Sequence, residues 1–241
     1  MSQKRILALS SSRAGNSGYL ETAIPLVKNL LGDKPIVIAF IPFASVDKNY
    51  EAYASMVREA FIGLPYIINV ASSENAKEVI INCDAIVTGG GNTFKLLHDI
   101  YELNLLDIIR DKISAGIPFI GWSAGANILG PTISTTNDMP IIEPKSFNAL
   151  GLFPFQINPH YFNQKSVGFN GETRDQRLEE FVKMNPGIPV VGLPEGSSLL
   201  LEKGVLKFVA PVPGILFTKE ENMDTVTRKE IVVETDLSYL L

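Results

Sequence analysis

The sequence predicts an α/β fold with a doubly wound, mostly parallel sheet flanked by helices, and three observations carry that expectation. Short apolar runs alternate with longer amphipathic stretches through the first half of the chain. The apolar runs are nearly continuous, as strands covered on both faces require. Gly32 and Gly116 stand where helices would need a C-cap before the next strand.

In chain order, residues 6–9, 36–41, 66–70, 85–88 and 118–122 read as buried strands. Between them, residues 18–31, 49–62, 73–81 and 93–114 have helical spacing; in the last, Phe94, Leu97, Tyr101, Leu105 and Ile108 recur every three or four residues. Such a βαβα succession binds ligands beyond the carboxyl ends of its strands. From 132 to 169 the periodicity fades and polar residues and prolines become frequent. A loop that long in a compact domain is usually functional. A helix is expected over 172–184, a strand over 189–193, and a β-hairpin from 198–202 and 205–209 around Lys203-Gly204. Residues 215–217 and 231–234 read as further strands extending the sheet. No repeat, low-complexity stretch or linker divides the chain, so residues 1–241 are expected to form one domain.

Composition narrows the classes of function. Of 241 residues, 46% are apolar and 20% charged, a globular balance. A net charge of −5 without a basic cluster argues against nucleic acid as partner. Cys83 is the one cysteine, which rules out an internal disulfide and suits a reducing compartment. The apolar run at 6–9 is too short for a signal-peptide core, and no stretch nears the roughly 20 apolar residues of a membrane helix. A cytoplasmic protein without a membrane partner is expected, as a monomer or a homodimer.

Chemistry concentrates in a few segments. Gly121-Trp122-Ser123-Ala124-Gly125 directly follows an apolar strand, the context of a nucleophile elbow in which the glycines permit a tight strand-to-helix turn. N–H groups at the start of the following helix, that of Ala124 among them, would face a developing oxyanion. The bland alternative is a tight turn whose serine caps a helix. Gly89-Gly90-Gly91-Asn92-Thr93 ends another strand, and its unobstructed N–H groups suit the other half of an oxyanion hole, with Gly90 and Gly91 as donors. It lacks the lysine and the spacing of a P-loop.

Of two histidines, His98 lies mid-helix beside Asp99, whereas His160 follows Asn158-Pro159, a stiffened approach that suits a general base. Glu195 at a strand end and Asp138 in the loop after the elbow both could orient that imidazole. A carboxylate would also be needed to pair the ammonium of a substrate held by its free N-terminus. Arg174, near a helix start where a cation is disfavoured by roughly 0.3–1 kcal/mol, could grip a substrate carboxylate or join a local network with Glu172 and Asp175.

Together the segments Ile41-Pro42-Phe43-Ala44, 89–94, 121–127, 135–140, Gln156-Ile157-Asn158-Pro159-His160, 171–177 and 192–196 resemble the peptidase E (α-aspartyl dipeptidase) family. They span most of the chain, from the second strand to just past Glu195, and the region after Ser197 is less alike. The resemblance implies a fold like that of class I glutamine amidotransferases, with serine in place of cysteine at the elbow. It implies Ser123 as nucleophile, His160 as base, an acid at Glu195, and Arg174 as selector of aspartate, with no metal or other cofactor. Asp138 also matches an acidic position of that family; Glu195 is favoured for the triad and Asp138 as an essential neighbour that binds the substrate amine. Asn92 joins Arg174 and Asp138 among the expected substrate-binding residues. The expected substrate is a small Asp-Xaa peptide. A β-aspartyl peptidase of cyanophycinase type and a non-catalytic amidotransferase-like binding module are the rival readings.

Overall fold

The inner parallel strands of the main sheet are apolar on both sides because helices cover both sides. In the computed structural model, which describes residues 4–164, 168, 170–222 and 225–241, the first half runs β1 (Ile6–Leu9), α1 (Ile24–Leu31), β2 (Ile36–Ile41), α2 (Tyr50–Ala60), β3 (Tyr66–Val70), α3 (Ala76–Ile81), β4 (Ala85–Thr88), α4 (Thr93–Glu102), α5 (Leu106–Ser114), β5 (Phe119–Trp122) and the single turn α6 (Ala124–Asn127). The second half adds β6 (Gln156–Asn158), α7 (Arg174–Met184), β7 (Val190–Gly192), β8 (Ser198–Glu202), β9 (Val205–Val209), β10 (Gly214–Thr218) and β11 (Thr227–Ile231).

Seven strands form the main sheet in the order β3-β2-β4-β5-β1-β8-β9. The first five pair in parallel, and the β8–β9 hairpin joins antiparallel at β1. Side chains alternate across it. Leu7, Leu9, Ile38, Phe40, Val87, Ile120 and Trp122 face the layer of α1 and α2, whereas Ile6, Ala8, Ala39, Ile41, Ile86 and Phe119 face that of α3, α4 and α5. The chain steps in one direction along the sheet from β1 through β2 to β3, and in the other from β3 through β4 to β5. Right-handed crossovers therefore put the two helix groups on opposite faces. The directions part between β2 and β4, which opens a crevice at their carboxyl ends.

Several expectations shift for physical reasons. The helix expected over 18–31 begins only at Ile24, after a 3-10 turn at Glu21–Ala23, because Leu20 has a φ of 56° and Pro25 is tolerated only in a first turn. The stretch 93–114 is two helices, broken where Asn104 adopts a φ of 52°. The apolar spacing runs through the break because both helices bury into the same core. The region 132–169 contains β6, whose three buried residues are too few to signal a strand; residues 165–167 and 169 of that region lie outside the described residues.

The largest change concerns the tail. Instead of extending the main sheet, β10 and β11 join β7 and β6 in a second sheet, order β11-β10-β7-β6. Strand pairing stops at Ile231, beyond which Val232 is exposed and Glu234 has a φ of 62°. Within the second sheet β6 and β7 are parallel, with α7 as their crossover, and Leu178 and Val182 of α7 pack on Val190 and Phe217. A capping box starts α7, with Thr173 and Gln176 satisfying each other's backbone N–H groups. One continuous apolar cluster runs from Ile6 and Phe119 to Ile157, Val191 and Leu216, so the two sheets share a core.

Candidate active site

Four strand ends converge. Ser123 follows β5, His160 lies just past β6, Glu195 just past β7, and Gly89-Gly90-Gly91 follow β4. Because β6 and β7 are parallel neighbours with Asn158 opposite Gly192, the chain leaves both at the same edge, and His160 and Glu195 meet. His160 Nδ1 lies 2.5 Å from Glu195 Oε1, and His160 Nε2 lies 2.8 Å from Ser123 Oγ. Asp138 makes no hydrogen bond or ion pair with the histidine. The side chains of His160 and Glu195 are 42% and 54% exposed. At that exposure the pair adds little to stability, so its geometry bears on chemistry rather than on folding.

The elbow is sterically tight. Ser123 has φ 53° and ψ −112°, a conformation costing about 1–3 kcal/mol that surrounding structure must hold. It is held by the Ser123 N–H bond to the Leu9 carbonyl at 3.1 Å, and by α6 starting immediately after it. A Cβ on Gly125 would collide with the Thr88 carbonyl oxygen, and one on Gly121 with the Gly125 carbonyl oxygen. Both glycines of the pentapeptide therefore serve close approach. Gly90 abuts the nucleophile, since a Cβ there would lie 3.0 Å from the Ser123 Cβ. Gly91 has a φ of 136° and leaves no room against the Ala44 carbonyl. Among the described residues the N–H groups of Gly90 and Gly91 donate to no protein acceptor, and neither does that of Ala124.

Asp138 is bound at the start of α4. Its Oδ2 accepts from Thr93 N–H at 2.7 Å, from Thr93 Oγ1 at 2.5 Å and from Thr136 Oγ1 at 3.2 Å. A helix N-terminus favours a carboxylate there. Asp138, Thr93, Thr136 and Asn137 line a narrow pocket of about 20 Å³ together with Ser123, Ala124 and His160. Asn92 is the N-cap of α4: its Oδ1 accepts from Lys95 N–H at 3.0 Å and its Nδ2 donates to the Met139 carbonyl at 2.8 Å. Its amide therefore ties the Asp138 loop to α4.

On the other side of Ser123 a roomier cavity of about 260 Å³ is lined by Ser12, Tyr19, Tyr53, Met56, Trp122 and His160 along with Gly90 and Gly91. It adjoins the crevice between β2 and β4, about 620 Å³, with Ala44, Val46 and Asn92 in its lining. Arg174 lines neither this cavity nor the narrow pocket. It sits half-buried at the first position of α7, and burial, with Arg177 nearby, lowers its guanidinium below the ordinary value. Burial and the Asp175 carboxylate raise the pKa of Tyr161, the residue after His160, against the opposing charges of Arg228 and Arg174. Arg174 makes no ion pair or hydrogen bond among the described residues; Glu172 pairs instead with Arg177 and Asp175 with Arg228. His98 stays on α4, its Nδ1 3.0 Å from Asp99.

Sequence reasoning missed the groups that hold the site together. Ser10, fully buried just past β1, donates to the Leu193 carbonyl at 2.8 Å and accepts the His160 N–H at 2.9 Å. Asn158 Nδ2 donates to the Thr135 carbonyl at 2.7 Å and to Asn137 Oδ1 at 2.8 Å, and Asn137 donates to the Pro159 carbonyl at 2.8 Å. These bonds join segments 21 to 183 positions apart. Three consecutive serines at 10–12 were the only local hint.

The profile described as "Peptidase family S51" matches residues 6–209. The chain belongs to this family. It is thus a peptidase. A Peptidase E of Nostoc sp. is 47% identical over 239 residues, covering 99% of this chain and 97% of the relative. Peptidase E of Haemophilus influenzae is 48% identical over 204 residues, covering 84% and 94%. The crystal structure of a peptidase from an acI-B1 Actinobacterium aligns with a TM-score of 0.68 at 16% identity, covering 98% of this chain and 96% of that one. A Listeria monocytogenes crystal structure gives 0.66 at 20%, covering 96% and 100%. These likenesses support the two-sheet α/β fold. Among the described residues no helix is long and apolar enough to cross a membrane.

The Ser10 hydroxyl bridges His160 and Leu193. Ser10→Ala removes the acceptor of the partly buried His160 N–H, and about 0.5–1.5 kcal/mol of stability should be lost, read as a lower urea midpoint at unchanged m. Activity measured on the folded fraction should fall as well, because His160 loses its anchor.

Proposed function

We propose that this S51 peptidase is a serine dipeptidase, folded as one domain, that cleaves Asp-Xaa substrates after their N-terminal aspartate. The observation that carries the reading is the unbroken hydrogen-bonded chain from Ser123 through His160 to Glu195. In that arrangement His160 takes the proton of Ser123 as its oxygen attacks the scissile carbonyl, and Glu195 holds the imidazole and offsets its charge. The oxyanion lies among the N–H groups of Gly90 or Gly91 and Ala124. His160 returns the proton to the leaving amine, and water then releases the aspartyl group from Ser123.

Asp138 is available for the substrate ammonium, since it lines the same narrow pocket as Ser123 and is occupied only by neutral donors. Arg174, charged and without a carboxylate partner among the described residues, is the group we assign to the aspartate side chain. The single buried cysteine, Cys83, fits a cytoplasmic setting.

Steady-state kinetics on purified variants test this. Ser123→Ala should abolish hydrolysis of Asp-Leu while leaving the thermal transition in place; turnover retained by the folded variant removes the mechanism. Arg174→Ala should lower kcat/KM on Asp-Leu at least tenfold more than on Ala-Leu, and an equal loss on both removes its selective role. Preference for β-aspartyl over α-aspartyl peptides would redirect the specificity assignment without touching the triad.

A further inference from the structure

Tyr53 stands apart from the triad yet touches both halves of its surroundings. It projects from α2, and its hydroxyl donates to the Gly90 carbonyl at 3.0 Å while accepting from Trp122 Nε1 at 3.2 Å. Trp122 immediately precedes Ser123, and Gly90 packs against Ser123. One phenol thus bridges the elbow and the glycine turn. The ring itself is fixed by edge-on contacts with Phe40 and Trp122 and by Gly89, where a Cβ would lie 2.5 Å from the Tyr53 oxygen.

The peptide between Gly90 and Gly91 is trans, since no cis bond occurs among the described residues. Its carbonyl and its N–H therefore point in opposite directions. Fixing the Gly90 carbonyl on Tyr53 fixes where the Gly91 N–H points, and that N–H has no other partner to orient it. Glycine on both sides leaves the peptide free to rotate unless something outside it prevents rotation. Burial raises the Tyr53 pKa, which keeps the hydroxyl a donor throughout the working range.

We propose that Tyr53 is a positioning residue for the oxyanion donor: it locks the Gly90–Gly91 peptide so that the Gly91 N–H meets the oxygen that becomes negative during acyl transfer. The inference rests on the acyl-transfer reading above and assigns the second donor of that site specifically to Gly91. Its effect belongs to the transition state, because charge builds on the oxygen only there.

The test compares Tyr53→Phe with the unsubstituted protein on Asp-Leu, and measures inhibition by the aldehyde of aspartate and by the corresponding alcohol. The aldehyde adds to a serine and generates the oxyanion; the alcohol does not. Removing one oxyanion donor outright costs about 10²–10³-fold in kcat, so loosening one predicts a fall of about tenfold, with KM within twofold. The aldehyde should bind about tenfold more weakly to the variant and the alcohol equally well. The Gly91 amide resonance should shift while that of a distant helix such as α5 stays in place, a readout independent of turnover. Wild-type kcat and aldehyde affinity in Tyr53→Phe, or equal weakening of aldehyde and alcohol, overturns the role of Tyr53. Equal affinity of the unsubstituted protein for aldehyde and alcohol overturns the acyl-transfer reading, and this inference with it.

Discussion

The arrangement depends on one buried hydroxyl at the seam between two sheets. Ser10 leaves β1 next to β5, where Leu9 is paired with Trp122, and it is therefore adjacent to the elbow by register alone. From there its oxygen reaches the Leu193 carbonyl and the His160 N–H, both on segments that extend the second sheet. The main sheet supplies the serine, the second sheet the histidine and the glutamate. A hydroxyl that both donates and accepts can join a C=O and an N–H at once. The backbone ladder helps: the Leu193 N–H bonds to the Asn158 carbonyl and the Tyr161 N–H to the Leu193 carbonyl, so β6 and β7 pass their register on to His160.

Strain and support are divided accordingly. Ser123 and His160 both adopt positive φ, 53° and 54°, although neither is glycine. Each sits one to two residues beyond a buried strand whose hydrogen bonds over-determine its path. In the pocket they line, Asp138 is held by two threonines and a helix N-terminus, and its loop is tied back to β6 through Asn137 and Asn158. The two carboxylates thereby acquire separate surroundings. Glu195 faces the imidazole at an exposed edge, and Asp138 lines, with the serine, a pocket fit for little more than a small polar head group. Different environments for two nearby acids are the usual means of giving them different tasks.

Much of this was legible from the residues, and the limits were physical. The edge strand β3 leaves Ile67 and Asn69 exposed and was marked by its β-branched residues, whereas the other four parallel strands declared themselves as continuous apolar runs. The β8–β9 hairpin did so because Lys203 and Gly204 accept the positive φ values, 53° and 78°, that a two-residue turn demands. The elbow was legible because its glycines are needed within five residues of the serine. The second sheet was not: β6 and β7 are three residues long, and pairing of β7 with β10 spans a register that no local pattern encodes. The break at Asn104 was hidden by an apolar stripe that both helices share. Which acid meets His160 was also illegible, since it follows from the parallel pairing of Asn158 with Gly192 rather than from either neighbourhood. Ser10 and Tyr53 share that character, acting through partners 37 to 183 positions away.

The central claim, that Ser123 is the nucleophile activated by His160, is tested most directly by covalent trapping. A diphenyl phosphonate analogue of aspartate, incubated with the folded protein and followed by peptide mass spectrometry, should modify one residue, Ser123, in step with loss of activity. The same reagent should leave His160→Ala essentially unmodified over the same time, because an unassisted serine hydroxyl is a weak nucleophile. Complete inactivation with the label on another side chain, or equal labelling of Ser123 with and without His160, would contradict the account.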